Sequence, residues 1–177
     1  MSENLRQLRK IVSLTILLIV FVPGFSRVYA ADTWLKIDGR IQLGMPADEL
    51  ALLLDGYVSD KENYGINTLC YYLMAPDDKP GIYYMIVEDK LVRLDIDHSE
   101  LGIQTPAGIG IDSNDEAVRA AYPDIFVSPH PYLGDIGSYM ATSREEGVGL
   151  IFETTAGIVT SFRYGQSPAL DYIEGCL

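Results

Sequence analysis

Two ten-residue segments with the same pattern constrain the fold of this chain more than any other feature. The first runs from Ile41 to Leu50 and the second, 68 positions later, from Ile109 to Val118. In each segment an alternating apolar pair ends at a turn, and acidic residues then open a short helix, where they favour the positive end of the helix dipole. Pro46 suits the first position of the first helix, and Ser113 with Glu116 has the spacing of a capping box. The chain is therefore predicted to contain two similar halves.

Strand-like runs rich in Tyr, Val, Ile and Phe follow each predicted helix, with turn residues between them. They cover residues 68–74, 82–88 and 91–97 in the first half and 138–142, 148–154 and 158–163 in the second. We expect an α+β fold of two tandem copies, residues 31–104 and 105–177, packed as one globular unit. In each copy a short helix packs on an antiparallel β-meander, and the two copies form a shared or adjacent sheet.

The first hairpin is expected to turn at Asp89-Lys90. Because side chains alternate between the two faces of a strand, this register leaves Tyr84, Arg93 and Asp95 on the face away from the core. The core face would then carry large uncharged side chains throughout, namely Tyr83, Met85, Val87, Val92, Leu94 and Ile96.

Tyrosine is the residue type that most suggests binding. Two adjacent pairs, Tyr71-Tyr72 and Tyr83-Tyr84, must each place one ring on either face of a strand. An exposed tyrosine suits a protein or carbohydrate ligand, because it offers a large contact area at a low entropic cost. The alternative is a tyrosine-rich sheet without a ligand. The candidate binding residues are Tyr72, Tyr84, Arg93 and Asp95.

Residues 1–30 have the features of a secretory signal peptide. A basic start, an apolar run from Ile11 to Val22 and small residues at Val28 and Ala30 predict cleavage after Ala30. An uncleaved anchor is the alternative, but a spanning helix needs about 20 apolar residues. We therefore expect a periplasmic or secreted protein of 147 residues without a stable membrane anchor.

The acidity of the chain limits its partners. Its net charge is −12, and cleavage after Ala30 leaves nine basic and 24 acidic residues, a net charge of −15. Nucleic acids and anionic membrane surfaces carry the same sign and are not expected partners, whereas a basic partner is permitted. The simpler alternative is that the charge only keeps an exported protein soluble.

The two cysteines, Cys70 and Cys176, both follow the signal segment. An even count in an oxidising compartment favours one disulfide, and two buried free thiols are the alternative. The sequence has no CxxC spacing, so neither a redox role nor a thiolate zinc site is expected.

The order of strand, turn, acidic-capped helix and antiparallel strands resembles the periplasmic domain of the SmpA/OmlA (BamE-like) outer-membrane lipoproteins. The segments that carry the resemblance are residues 41–50 and 109–118. Their duplication is similar to the arrangement in β-lactamase-inhibitory proteins. This resemblance implies a binding protein that uses a concave sheet face.

The sequence offers little catalytic or metal-binding chemistry. Asp95 and Asp97 share a strand face while His98 points away from it, so no metal or other cofactor is expected. His130, between two prolines, would suit a general base, and residues 165–169 faintly resemble a nucleophile elbow. Neither has a neighbour in the sequence that completes a catalytic set.

These features favour an exported, non-catalytic binding protein of the bacterial envelope that engages another protein through an open, tyrosine-bearing sheet face. A periplasmic protein that binds a small molecule or a cation is the second hypothesis. A hydrolase built on His98 or His130 is the third.

Overall fold

A computed structural model describes residues 40–54, 56–61, 69–76, 81–144 and 146–176. The predicted signal peptide lies outside these residues. Within them the chain forms two α-helices, α1 (Ala47–Leu53) and α2 (Asp115–Ala121), and two short 3₁₀ turns, Ser99–Leu101 and Ala169–Asp171. The strands are β1 (Val58–Ser59), β2 (Cys70–Met74), β3 (Tyr83–Val87), β4 (Lys90–Ile96), β5 (Phe126–His130), β6 (Gly134–Ala141), β7 (Val148–Thr155) and β8 (Ile158–Gln166).

All eight strands of the described chain belong to one antiparallel sheet, in the order β1-β2-β3-β4-β8-β7-β6-β5. β4 and β8 meet at its centre, where Leu94 is paired with Tyr164 and Ile96 with Phe162. Backbone hydrogen bonds therefore run without a break from one half of the chain to the other.

The predicted α+β class, with two tandem helix-on-meander copies, is wrong. The described chain is mainly β, and its two helices have only seven residues each. Pairing of β4 with β8 merges the strands into one sheet, and side chains from both halves share one hydrophobic core. Eight strands against two seven-residue helices make the described chain mainly β, and it does not divide into two helix-on-meander copies. The boundary predicted between residues 104 and 105 stays a prediction.

The hydrophobic core lies between one face of the sheet, here called the core face, and the two helices. Leu50 of α1 and Val118 of α2 are fully buried there. The sheet contributes large side chains to the same cluster, including Tyr84, Ile86, Leu91, Leu94, Ile96, Phe152, Val159 and Phe162. At about 25 cal/mol per Å² of buried apolar surface, this core is the main source of stability.

Each helix begins beside a hairpin turn. The Ala47 N–H donates to the Asp89 carbonyl at 2.9 Å, and the Asp115 N–H donates to the Gly157 carbonyl at 2.9 Å. These bonds satisfy helix-terminal N–H groups that have no partner within the helix. The N-cap of α2 is Asn114, whose side chain accepts from the Ala117 N–H at 2.8 Å. The capping box predicted for Ser113 and Glu116 is therefore wrong: the N-cap lies one residue later, and the residue three positions after it, Ala117, has no side-chain acceptor to complete a box.

The first hairpin turns at Glu88-Asp89, whose φ angles of 50° and 57° are those of a tight two-residue turn. The predicted Asp89-Lys90 turn is therefore wrong by one residue. Moving a two-residue turn by one residue changes the strand register by two, so it does not by itself move side chains to the other face. The predicted faces fail at a β-bulge between Met85 and Ile86, beyond which Tyr84 is paired with Leu94 and Met85 with Arg93. Tyr84 therefore lies on the core face with Leu94, and Met85 lies on the opposite face with Arg93.

The face opposite the helices, here called the second face, is covered at its centre by the last residues of the chain. Residues 167–176, here called the strap, cross it with Ala169, Leu170 and Cys176 buried against the sheet. Met85 is 0% exposed beneath it. The expectation of a wholly open sheet face is therefore wrong.

Candidate functional site

The structure separates the four predicted binding residues. Tyr84 is 1% exposed and packs edge-on against Tyr57 in the core, with ring centroids 5.6 Å apart. It therefore cannot contact a ligand on the second face. Tyr72, Arg93 and Asp95 do lie together on the second face.

Arg93 fastens the strap to the centre of the sheet. Its Nη1 donates to the carbonyl oxygens of Ala169 at 2.7 Å and Tyr172 at 2.8 Å, and its Nη2 donates to the Tyr72 hydroxyl at 2.7 Å. Its Nε lies 3.0 Å from Oδ1 of Asp95. A guanidinium this buried needs such partners, because an unpaired buried charge is strongly destabilising. Arg93 therefore holds the strap in place and has little capacity left for a ligand.

Two opposing effects act on the pKa of the Asp95 carboxyl group. Burial raises the pKa of its carboxyl group above the ordinary value, and the nearby Arg93 and Arg163 charges and the Tyr72 hydroxyl reduce that rise. Desolvation penalises the charged form of the carboxyl group, whereas the arginines stabilise it. Asp95 therefore holds its proton to a higher pH than an ordinary aspartate.

A second buried arginine, Arg163 on β8, bonds the same strap carbonyl as Arg93. It donates from Nη1 to the Tyr172 carbonyl at 3.2 Å and from Nη2 to Oε1 of Glu153 at 2.7 Å. Its guanidinium also lies over the ring of Tyr139, 5.5 Å from the centroid. Sequence reasoning missed this group. The available signal was a pair of opposite charges, Glu153 and Arg163, in neighbouring apolar strands of one hairpin.

His130, at the end of β5, has both ring nitrogens engaged. Nδ1 accepts from the N–H groups of Tyr132 and Leu133 at 3.1 and 3.2 Å, and Nε2 lies 3.3 Å from Oε2 of Glu153. Because Nδ1 accepts two hydrogen bonds, the ring proton is on Nε2 and faces the carboxylate. This arrangement shapes the β5–β6 turn and leaves neither nitrogen directed at a substrate.

Cys70 and Cys176 form the predicted disulfide, with their Cα atoms 5.3 Å apart. This bond ties the end of the strap to β2 across a sequence separation of 106 residues. Disulfides of this kind are characteristic of secreted and periplasmic proteins, and an exported location agrees with it. Arg93, Arg163 and the disulfide thus all hold the strap against the sheet.

A polar cavity of about 290 Å³ lies on the sheet side of strap residues 173–175. Its walls carry the two arginines together with the carboxylates of Asp95, Asp97, Glu153 and Glu174. Arg93 is paired with Asp95 and Arg163 with Glu153, whereas the buried Nε of Arg163 has no hydrogen-bond partner among the described residues.

An open groove of about 690 Å³ follows the other side of the strap and is here called the strap groove. Four large apolar side chains line it while remaining in contact with solvent: Leu69 is 61% exposed, Tyr132 63%, Tyr172 44% and Ile173 42%. Tyr132 reaches the strap from the β5–β6 turn, and its hydroxyl donates to Oε1 of Glu174 at 2.6 Å. That hydrogen bond raises the pKa of the Tyr132 hydroxyl.

Within the described ranges, no cluster of three or more His, Cys, Asp or Glu side chains is arranged to hold a metal ion. His98 contacts Asp97 at 3.4 Å, while Asp95 faces Arg93. Over the same residues, no helix is long and apolar enough to cross a membrane.

No family model and no curated protein matches this chain. Among solved structures, an extracellular protein containing an SCP domain from Bacillus anthracis aligns with a TM-score of 0.46 and 12% sequence identity. The alignment covers 71% of this chain and 44% of that one, so this chain spans less than half of the length of that protein. A TM-score below 0.5 transfers neither a fold family nor a function.

Proposed function

We propose that this protein is exported and binds another protein, without catalysis, through the strap groove. The observation that carries this proposal is the convergence of four solvent-exposed apolar side chains on one groove: Leu69, Tyr132, Tyr172 and Ile173. Contiguous exposed apolar surface of this kind characterises protein-binding sites, and tyrosine is enriched at their energetic centres.

The fixed position of one groove wall also favours binding. One wall is the strap, which is fixed by the disulfide and by two buried arginines. A wall that is already ordered loses little conformational entropy when a partner arrives. A non-catalytic role agrees with the geometry of His130, since both of its nitrogens are committed to the protein itself.

The sequence supports the route of export. We propose that the signal peptide is removed after Ala30 and that the protein acts in the periplasm or outside the cell. Intact-mass measurement of the protein recovered from the producing cells tests this step. A mature chain starting at Ala31 is expected, and a chain retaining residues 1–30 would contradict it.

A comparison of variants tests the groove itself. Tyr172→Ser together with Ile173→Ser removes apolar surface from the groove, and both arginine bonds to the strap survive because they use the backbone carbonyl of Tyr172. Leu52→Ser is the matched control, since Leu52 is 86% exposed on α1, on the core-face side of the molecule. In affinity capture from the producing cells, the double variant should lose a partner that the control retains. Equal recovery by both variants would contradict the proposal.

The polar cavity favours a second candidate function, binding of a small polar molecule. Its volume of about 290 Å³ lies at the lower end of the range for small-molecule sites. A panel of sugars, amino acids and divalent cations tests this candidate by thermal shift. A reproducible stabilisation that Ser161→Ala abolishes would support it, and a flat response would remove it.

A further inference from the structure

Resting on the proposed function, we propose that the occupant of the strap groove is a cationic amphipathic segment of its partner, with apolar side chains against the groove and lysine or arginine at its rim. The strap groove would then select its partner by apolar contact and positive charge together.

The charge of the groove is the first argument. Three carboxylates line it, those of Glu88, Asp171 and Glu174, and the described lining residues include no lysine or arginine. Asp171 is neutralised by Arg144, whose Nη2 lies 2.7 Å from Oδ1. Glu88 and Glu174 are exposed, and Glu174 accepts a hydrogen bond from the neutral hydroxyl of Tyr132, which leaves its charge uncompensated. Two exposed negative charges therefore flank the apolar surface.

The apolar surface is the second argument. Leu69 and Ile173 offer aliphatic contact, while Tyr132 and Tyr172 offer rings that both stack on apolar groups and attract cations over their faces. A purely basic segment would leave this surface in water, and a purely apolar segment would leave the rim carboxylates without a partner. A segment that is both apolar and basic satisfies the two.

Charge also disfavours two other occupants. A second copy of the exported chain carries the same negative charge, −15 after cleavage at Ala30, so its approach is repelled. An anionic membrane surface is repelled for the same reason. A basic segment is attracted by both the local rim and the overall field of the molecule.

Three synthetic peptides of equal length test the inference. The first alternates leucine with lysine, the second replaces each lysine by glutamate, and the third replaces each leucine by serine. Binding to the full exported protein is measured by isothermal titration calorimetry at low and physiological salt. The leucine/lysine peptide should bind at least about tenfold more tightly than either of the others, and its affinity should fall as salt rises.

Variants of the protein locate the binding. Glu88→Gln with Glu174→Gln should weaken the leucine/lysine peptide by about three- to tenfold and reduce its salt dependence. The glutamine at position 174 still accepts from Tyr132, so the groove keeps its shape. Glu116→Gln with Asp124→Asn removes two exposed charges outside the groove, is the matched charge control and should leave affinity unchanged. Tyr172→Ser with Ile173→Ser should weaken the same peptide by about tenfold or more.

The outcomes separate the inference from the proposed function. The leucine/lysine and leucine/glutamate peptides could bind equally well, with both losing affinity for the Tyr172 and Ile173 variant. That result would overturn the inference about charge and would leave the groove as a protein-binding site. Binding that this variant does not change would overturn the placement of the ligand in the groove. Absence of binding by every peptide would overturn the inference, and the capture experiment decides the proposed function separately.

Discussion

Nη1 of Arg93, on β4, donates a 2.8 Å hydrogen bond to the carbonyl oxygen of Tyr172, 79 positions later in the sequence. This bond joins the centre of the sheet to the strap, so the position of one wall of the groove depends on a buried side chain of the first half of the chain. The stability of the fold and the shape of the groove are therefore coupled through the same residues.

Loss of Arg93 should be costly. Arg93→Met keeps much of the side-chain volume but leaves Asp95 without its closest cation and two strap carbonyls without donors. We expect the free energy of unfolding in urea to fall by about 3–5 kcal/mol. Arg119→Met, which removes the same charge from the exposed end of α2, should change it by no more than about 0.5 kcal/mol. Equal effects of the two variants would contradict the role given to Arg93.

The disulfide should stabilise the fold strongly, because it closes a long loop of the unfolded chain. Cys70→Ser with Cys176→Ser should lower the free energy of unfolding by about 2–5 kcal/mol. Dithiothreitol should destabilise the wild type by a similar amount and leave the double variant unaffected. A wild type whose unfolding curve does not respond to the reductant would contradict the bond.

Asp95 should make stability depend on pH in a direction set by its raised pKa. The folded protein holds this proton to a higher pH than the unfolded chain does, so ionisation of Asp95 disfavours the folded state. The free energy of unfolding of the wild type, minus that of Asp95→Asn, should therefore decrease as pH rises from the ordinary aspartate value of 3.8 through the raised pKa. A difference that increases over this interval would show that the pKa is lowered instead.

His130 should act as a hydrogen-bond acceptor for the β5–β6 turn. His130→Ala leaves the N–H groups of Tyr132 and Leu133 without their acceptor and should cost about 1–3 kcal/mol of unfolding free energy. His130→Asn supplies an acceptor oxygen near the place of Nδ1 and should recover part of that loss. A ¹⁵N NMR spectrum of the wild-type ring should show the Nε2–H form, and a proton on Nδ1 at neutral pH would exclude this geometry.

Several features could be predicted because a short stretch of sequence, or a simple residue count, is enough to indicate them. The acidic first turns of α1 and α2 are found as expected, and the even cysteine count indicated the bond between Cys70 and Cys176. The strand-like runs also largely coincide with β2, β3, β4, β7 and β8. Each of these signals lies within a few residues or depends on a simple count.

The predictions that failed concern features that depend on distant parts of the chain. β3 is apolar on both faces, from Tyr83 to Val87, so alternation could not decide its register. It is apolar on both faces because the helices cover one side and the strap the other, and the strap is some 80 residues away in the sequence. The pairing of β4 with β8 also joins segments that are far apart in the sequence, and no local pattern marks it. Leu69, Tyr132, Tyr172 and Ile173 lie in loops, where no periodic pattern marks a binding residue.

An NMR titration of the ¹⁵N-labelled protein with the leucine/lysine peptide tests the location of binding most directly. Saturable shifts of backbone amides should concentrate at Leu69, Tyr132, Tyr172 and Ile173, with Leu52 on α1 unchanged. Shifts centred on α1 and α2, or a spectrum unchanged at millimolar peptide, would contradict the claim that the strap groove is the binding surface of this protein.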